Sequence, residues 1–222
     1  MPAWSYSSLT AFETCPLRYY VTRVTKEVAE PETEHTRWGN AVHKALELRV
    51  RDATPLPEGM TQYERIVAAT EQWPGVAHAE TQIALDVNFQ PVSWFDKSVW
   101  VRGIVDFSKE QETQAIALDW KTGKPKSDSD QLKLFAGLLF CVKPVLQTIK
   151  TGFVWLAHGK LTQQVFTRKQ TQQIWGAFLP RVDRLESAYA KKKWLPKPSG
   201  LCKRWCPVPR ELCEFSERRT VE

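Results

Sequence analysis

The chain has 222 residues, a mass of 25.6 kDa, 42% hydrophobic and 25% charged residues, and a mean hydropathy of −0.40. This composition excludes a disordered, collagen-like or coiled-coil chain, and at this length a core can form without a disulfide scaffold. The formal net charge is +6 with a pI near 9.1, and from Tyr189 onward nine basic residues face four acidic ones, a balance that suits a polyanionic partner as well as it suits a merely solvated surface.

In chain order, residues 5 to 30 read as a helix entry and first helix, with Ser7 or Ser8 able to cap and Leu9, Phe12, Tyr19 and Tyr20 on one face. The polar stretch Glu30–Glu34 breaks it. A second helix is expected over Arg37–Val50, a loop over Asp52–Gly59 with Pro55 and Pro57, and a short helix over Gln62–Glu71. The pattern then changes to strands: Thr81–Phe89, Ser98–Phe107 and Ala115–Trp120, separated by Pro91 and the polar run Lys109–Gln114. An apolar helix follows over Asp128–Cys141, a strand over Thr151–Leu156, a short one at Val165–Phe166, and a long helix over Thr171–Lys193 before a cysteine-bearing tail. This order predicts an α/β (α+β) fold, a central mixed β-sheet flanked by helices in one domain over 1–222. Within it, 1–75 would be a helical part, 76–170 a sheet core and 171–222 the last helix and tail. The longest apolar run, Leu134–Val142, is too short to span a bilayer, and the N-terminus lacks a basic flank followed by an apolar stretch. A cytoplasmic protein is expected.

Two strands carry carboxylates. Asp106 ends the apolar run Gly103–Phe107, and Asp119 lies in Ala117-Leu-Asp-Trp-Lys-Thr-Gly123. Strand alternation puts Asp119 and Lys121 on one face and Trp120 on the other. If the two runs form a hairpin, Asp106 stands beside Asp119, and two adjacent carboxylates favour a bound cation, Mg²⁺ or Mn²⁺ for oxygen ligands. Lys121 can then hold a phosphate or stabilise an attacking hydroxide. The alternative is that both aspartates simply end strands. His43, on the second helix, faces either solvent, core or such a cation; as a ligand it would favour Mn²⁺. Glu80, just before the first strand, is a further acidic contributor or a solvated charge.

Of five cysteines, Cys202, Cys206 and Cys213 fall within twelve residues, with three and six residues between them. Disulfides do not suit a cytoplasmic setting. Metal ligation reads better, with Cys15 before Pro16 as the fourth thiolate and Cys141 a buried thiol. Three clustered ligands plus one remote one favour a [4Fe–4S] cluster over the paired couples of common zinc fingers. Either metal would staple the helical N-terminus to the tail.

Together these stretches resemble the RecB-like branch of the PD-(D/E)XK nuclease superfamily, related to CRISPR spacer-acquisition nucleases and small phage exonucleases. Ser5–Leu9 through Cys15-Pro16 is similar to the opening motif of that branch, Gly39–His43 to its histidine motif, Gly103–Asp106 to its second acidic motif, and Asp119–Lys121 to its D-x-K motif. Gln131 and Phe135 match a Gln-x-x-x-Tyr motif with phenylalanine replacing tyrosine, and the cysteine spacings depart from the commoner two and five. The resemblance implies a restriction-endonuclease-like core and a metal-dependent DNA exonuclease acting on single strands or ends in repair, recombination or phage DNA processing. It also implies one or two Mg²⁺ or Mn²⁺ ions held by His43, Asp106, Asp119 and the Trp120 carbonyl. Glu80 would assist, Lys121 would orient the attacking water, and Gln131 would contact DNA or the D-x-K loop. The basic residues Lys191, Lys192, Lys193, Lys203 and Arg204 would follow the phosphate backbone, and exposed tryptophans would stack on unpaired bases. A helicase or recombination partner fits this picture, and so does a non-catalytic iron–sulfur DNA-binding module.

Overall fold

The computed structural model describes residues 1–126 and 130–217. Arg218 and Arg219 of the basic tail, and Asp128 at the expected start of the apolar helix, lie outside them. The chain forms two compact units, one from Met1–Thr33 with Ala177–Glu222 and the other from Glu34–Gly176. Among the described residues no helix is long and apolar enough to cross a membrane.

In the first unit, α1 (Tyr6–Thr14) starts at Ser5, not at Ser7 or Ser8. Ser8 N–H donates to Ser5 Oγ at 3.3 Å and Ser5 N–H donates to Ser8 Oγ at 2.8 Å, so each backbone N–H is satisfied by the other residue's hydroxyl oxygen. The expected single helix is broken at Cys15, which is extended (φ −162°, ψ 112°) because the proline that follows disfavours helical geometry before it. Pro16 then opens α2 (Pro16–Tyr19), which runs into a π-turn over Tyr20–Val24. The last helix, α6 (Thr171–Lys191), contributes its residues from Ala177 on to this unit. Arg181 donates to both oxygens of Glu13 at 2.8 and 2.7 Å, Tyr19 and Tyr189 share a hydroxyl hydrogen bond of 3.1 Å, and Trp194 stacks on Tyr20 at 5.0 Å. The N-terminal helices and the chain after α6 are thereby pinned together by a bidentate ion pair and an aromatic cluster.

The second unit contains α3 (Glu34–Asp52), α4 (Glu64–Glu71), a five-stranded sheet and α5 (Asp130–Val142). The strands are β1 (Val76–Leu85), β2 (Val101–Gln111), β3 (Gln114–Lys121), β4 (Thr148–Trp155) and β5 (Lys160–Thr167), in that spatial order. Only β3 and β4 pair in parallel; the other neighbours are antiparallel. α5 makes the crossover that a parallel pair requires. The expected mixed sheet flanked by helices is therefore the fold. β5 is a full edge strand of eight residues where the sequence suggests two, because its polar alternation at an exposed edge leaves little apolar signal.

Val42, Ala45 and Leu46 of α3, with Tyr63 and Val67, pack on Phe107, Leu118 and Trp120 of the sheet. Burying those side chains holds α3 against β2 and β3, and with it His43. A Cβ on Gly103 would collide with the Leu138 side chain, so glycine there lets α5 lie close on the strand that carries Asp106. Arg168 closes the far end of α5, donating to the carbonyls of Phe140, Lys143 and Leu146.

Candidate active site

The β2–β3 ladder runs from Gln111↔Gln114 to Phe107↔Leu118 and stops there. The next residues are Asp106 and Asp119. In place of a ladder bond, Trp120 N–H donates to Asp106 Oδ2 at 2.8 Å, a buried charge-assisted hydrogen bond. The hairpin expected from the sequence thus exists, and both carboxylates sit where its strands part. Asp106 lies in the middle of β2, not at its end, and is buried.

On the other side of β2, the β1 register keeps one phase at Ala79↔Phe107 and Thr81↔Val105, so that Glu80 falls opposite Asp106 at the one step where the pairing is interrupted. Glu80 belongs to β1, not to the loop before it, and has φ +50°, in the left-handed region that non-glycine residues rarely occupy. Such a conformation costs on the order of 1–3 kcal/mol and persists where the surroundings impose it, often at functional sites. The Glu80 carboxylate comes within reach of His43 and Asp106.

His43 Nδ1 lies 3.2 Å from Asp106 Oδ2. One ligand atom each from His43, Glu80 and Asp106 fall within 4.8 Å of one another, the only group of three such side chains among the described residues that could jointly hold an ion. Asp119 stands just outside this trio, tied into a second one. Gln131 Nε2 donates to Asp119 Oδ1 at 2.6 Å, and Lys121 Nζ donates to Gln131 Oε1 at 3.0 Å. Lys121 Nζ also lies 2.6 Å from Asp119 Oδ2, a close ion pair to a buried oxygen. Lys121 stands 4.8 Å over the Phe153 ring, which fixes the ammonium from below. Gln131, at the start of α5, thus contacts both Asp119 and Lys121 of the D-x-K segment.

The charged groups of this cluster perturb one another strongly. Burial, then the neighbouring Asp106 charge, push the Asp119 carboxyl up to about 7 against the opposing pull of Lys121. Burial and Asp106 also raise Glu80. For His43, burial works against the charged form but is outweighed by its hydrogen bond to Asp106 and by the charges of Asp106, Asp119 and Glu80. Glu47, which the sequence reading passes over, contributes to raising Glu80. It sits one helical turn after His43, and that i+4 spacing is the signal that would have found it. Its carboxylate is held by Lys44 at 2.8 Å and Arg51 at 2.6 Å.

The second cluster lies in the unit of residues 1–33 and 177–222. Cys15, Cys202, Cys206 and Cys213 all line one largely apolar cavity with Leu17, Pro196 and Val208. Lys197 N–H points to Cys15 Sγ at 3.4 Å and Ser199 N–H to Cys202 Sγ at 3.3 Å. Burial pushes the Cys206 thiol up. Among the described residues no three of these sulfurs lie within 4.8 Å of one another. Four thiolates at about 2.3 Å from one zinc would stand closer than that, about 3.8 Å apart. Cys141 is half-buried near the end of α5, in the other unit. Lys191, Lys192, Lys193, Lys203 and Arg204 are exposed, with Lys203 3.9 Å from Glu217.

A family model described as the PD-(D/E)XK nuclease superfamily matches residues 3–214. Among solved structures, the chain is similar to one described as SSO0001, at 14% identity and a TM-score of 0.50, covering 93% of this chain and 83% of that one. It is also similar to the "Putative exonuclease" from Eubacterium rectale, at 12% identity and a TM-score of 0.55, covering 90% and 85%. At these identities the likeness is one of fold. None of the curated proteins matches the sequence.

Proposed function

The chain belongs to the PD-(D/E)XK nuclease superfamily, and from that premise we propose that it is a divalent-metal-dependent DNA exonuclease of the RecB-like branch. The observation that carries this reading is the meeting of His43, Glu80 and Asp106 beside a buried Asp119 that is locked to Lys121 and Gln131. The buried Asp119 carboxyl and the mutual repulsion of the carboxylates fit a hard cation with oxygen and imidazole ligands. His43, Glu80, Asp106 and Asp119, with the Trp120 carbonyl, would hold one or two Mg²⁺ or Mn²⁺ ions. Such a cation, when bound, supplies an acidified water and neutralises phosphate charge.

The protein's own groups do the remainder. Asp106 fixes the His43 ring through Nδ1 and anchors the start of the D-x-K segment through Trp120 N–H. Gln131 bridges Asp119 and Lys121, so the carboxylate and the ammonium move as one body. Lys121, positioned by that bridge and by Phe153, neutralises charge that builds on the scissile phosphate and orients the attacking water. Purified protein with Mn²⁺ is expected to shorten end-labelled linear single-stranded DNA from its ends and to leave closed single-stranded circles intact. Cut circles would make it an endonuclease. Bound but uncut DNA of every form would make it a non-catalytic module.

We further propose that the four converging cysteines hold a [4Fe–4S] cluster. Their apolar cavity and the N–H groups aimed at two of the sulfurs support it. Protein purified without oxygen is expected to be brown, with about four irons per chain, and Cys206→Ser to lose the colour and unfold at lower temperature. A colourless protein with one zinc per chain refutes the cluster.

A further inference from the structure

The most exposed large hydrophobic side chain among the described residues is Phe95, 85% accessible, in the connection between β1 and β2. A single apolar side chain on a surface needs no explanation in itself. This one differs in what holds it. The connection is not a slack loop but two stacked turns. Asp86 Oδ1 accepts from the N–H groups of Asn88 and Gln90, both at 2.8 Å. Asp96 Oδ1 accepts from Ser98 N–H and Ser98 Oγ, both at 2.7 Å. Val92 N–H donates to Ala84 O, and Trp100 N–H to Leu85 O, tying both limbs to β1. Phe89, at φ +60°, wedges against Trp100 at 5.6 Å and Trp175 at 4.6 Å. Fixing the backbone this firmly and leaving an aromatic ring in water at its tip prepares a contact whose ordering cost is already met.

The charge pattern says with what. Both acidic side chains of the connection are turned onto turn N–H groups, which leaves the charge of its one cation, Lys97, unopposed within it. Lys97, two residues from the ring, is exposed and is in none of the ion pairs found among the described residues. At the start of β2, the Arg102 guanidinium stands 5.2 Å from the centre of the Trp94 ring, and its Nε is buried without a hydrogen-bond partner. Arg102 and Asp106 are four residues apart on the same strand, about 13 Å at the usual rise per residue, a span of a few nucleotides.

We propose that this finger is a nucleobase-stacking element for single-stranded DNA: Phe95 stacks on an unpaired base of a strand whose phosphates meet Lys97 and Arg102 on the way to Asp106. The inference rests on the nuclease reading in taking that strand to be substrate. It assigns the substrate class, unpaired over duplex, to one residue: a ring that needs the open face of a base finds none inside a duplex.

The test is binding without cleavage. Fluorescence anisotropy in EDTA would compare wild type, Phe95→Ala and Phe95→Trp on a labelled single-stranded oligonucleotide and on the same sequence as a closed hairpin duplex. Phe95→Ala is expected to weaken single-strand binding about tenfold and to leave duplex binding and the circular dichroism spectrum unchanged, with Phe95→Trp close to wild type. Unchanged single-strand binding by Phe95→Ala overturns the proposal, as does equal weakening on the duplex or a wild type that does not bind single strands. The readout is independent of turnover. Tight, Phe95-dependent binding by a protein that cleaves nothing in Mn²⁺ would sink the nuclease reading and leave the finger standing.

Discussion

Asp106→Asn is expected to lower DNA cleavage at least about a thousandfold while leaving the fold intact. Asparagine preserves the shape of the side chain and an oxygen that still accepts from Trp120 N–H, so the junction of β2 and β3 keeps its hydrogen bond. What disappears is the negative charge at the point where His43, Glu80 and Asp119 converge. His43 loses the partner that raises its pKa, and the proposed metal site loses one of its candidate ligands. Stability moves the other way. The Asp106 charge is among the causes that raise both Asp119 and Glu80, so its removal relieves repulsion in the empty site. The melting temperature in EDTA is therefore expected to hold or rise, the trade between stability and activity usual for a charged centre. Alanine at this position would instead orphan the buried Trp120 N–H, at a cost of about 1–3 kcal/mol. Substantial activity in the asparagine variant would remove Asp106 from the centre, and a fall in melting temperature alongside the lost activity would make its role structural.

The metal-free protein is expected to lose stability as pH rises from about 4 to about 7. Asp119 titrates near 7 when folded but near 3.8 when unfolded. Between those values the unfolded chain releases a proton that the native state retains, so stability falls with pH across that window and levels off above it. His43 and Glu80, also raised in the fold, contribute with the same sign. The combined effect is on the order of a few kcal/mol, readable by urea titration in EDTA at pH 5, 6 and 7.5. Mn²⁺ or Mg²⁺ reverses the trend. Binding must displace the Asp119 proton at pH 5 but not at pH 8, so the stabilisation by cation is expected to grow with pH. Asp119→Asn should flatten both dependences. Stability that rises between pH 5 and 7 in EDTA would mean that these carboxylates are not buried against one another.

The D-x-K triplet could be read directly because it is local: alternation along one strand puts Asp119 and Lys121 on a common face whatever the strand packs against. Asp106 was legible for a similar reason, as a charge inside an apolar run. Glu80 was undervalued because its placement depends on a left-handed residue within β1, and no propensity predicts a glutamate there. Its polar neighbours Thr81 and Gln82 also blurred the start of the strand. Glu47 escaped notice because a glutamate among Lys44 and Arg51 reads as an ordinary solvated helix pair. Phe95 carried no signal at all. An exposed ring and a buried one look alike in a chain, and the hydrogen bonds that rigidify the turns around it run between residues whose spacing shows no regular period.

Local order was therefore the chain's own to declare. The helical and strand periods, the break that Pro16 imposes at Cys15, the apolar helix that lets β3 and β4 run parallel, and the surplus of cations after Tyr189 all arise from neighbours a few positions apart. Folding alone decided which charges meet. Ser5 rather than Ser7 caps α1, Gln131 rather than solvent holds Lys121, and an imidazole from α3 reaches a carboxylate sixty-three positions later because the α3 apolar face has to bury itself on Phe107, Leu118 and Trp120. Hydrophobic burial is indifferent to the polar groups it carries along. Its direction here nevertheless delivers His43 to Asp106, and the carboxylates endure their mutual repulsion at the one place where the β2–β3 ladder opens.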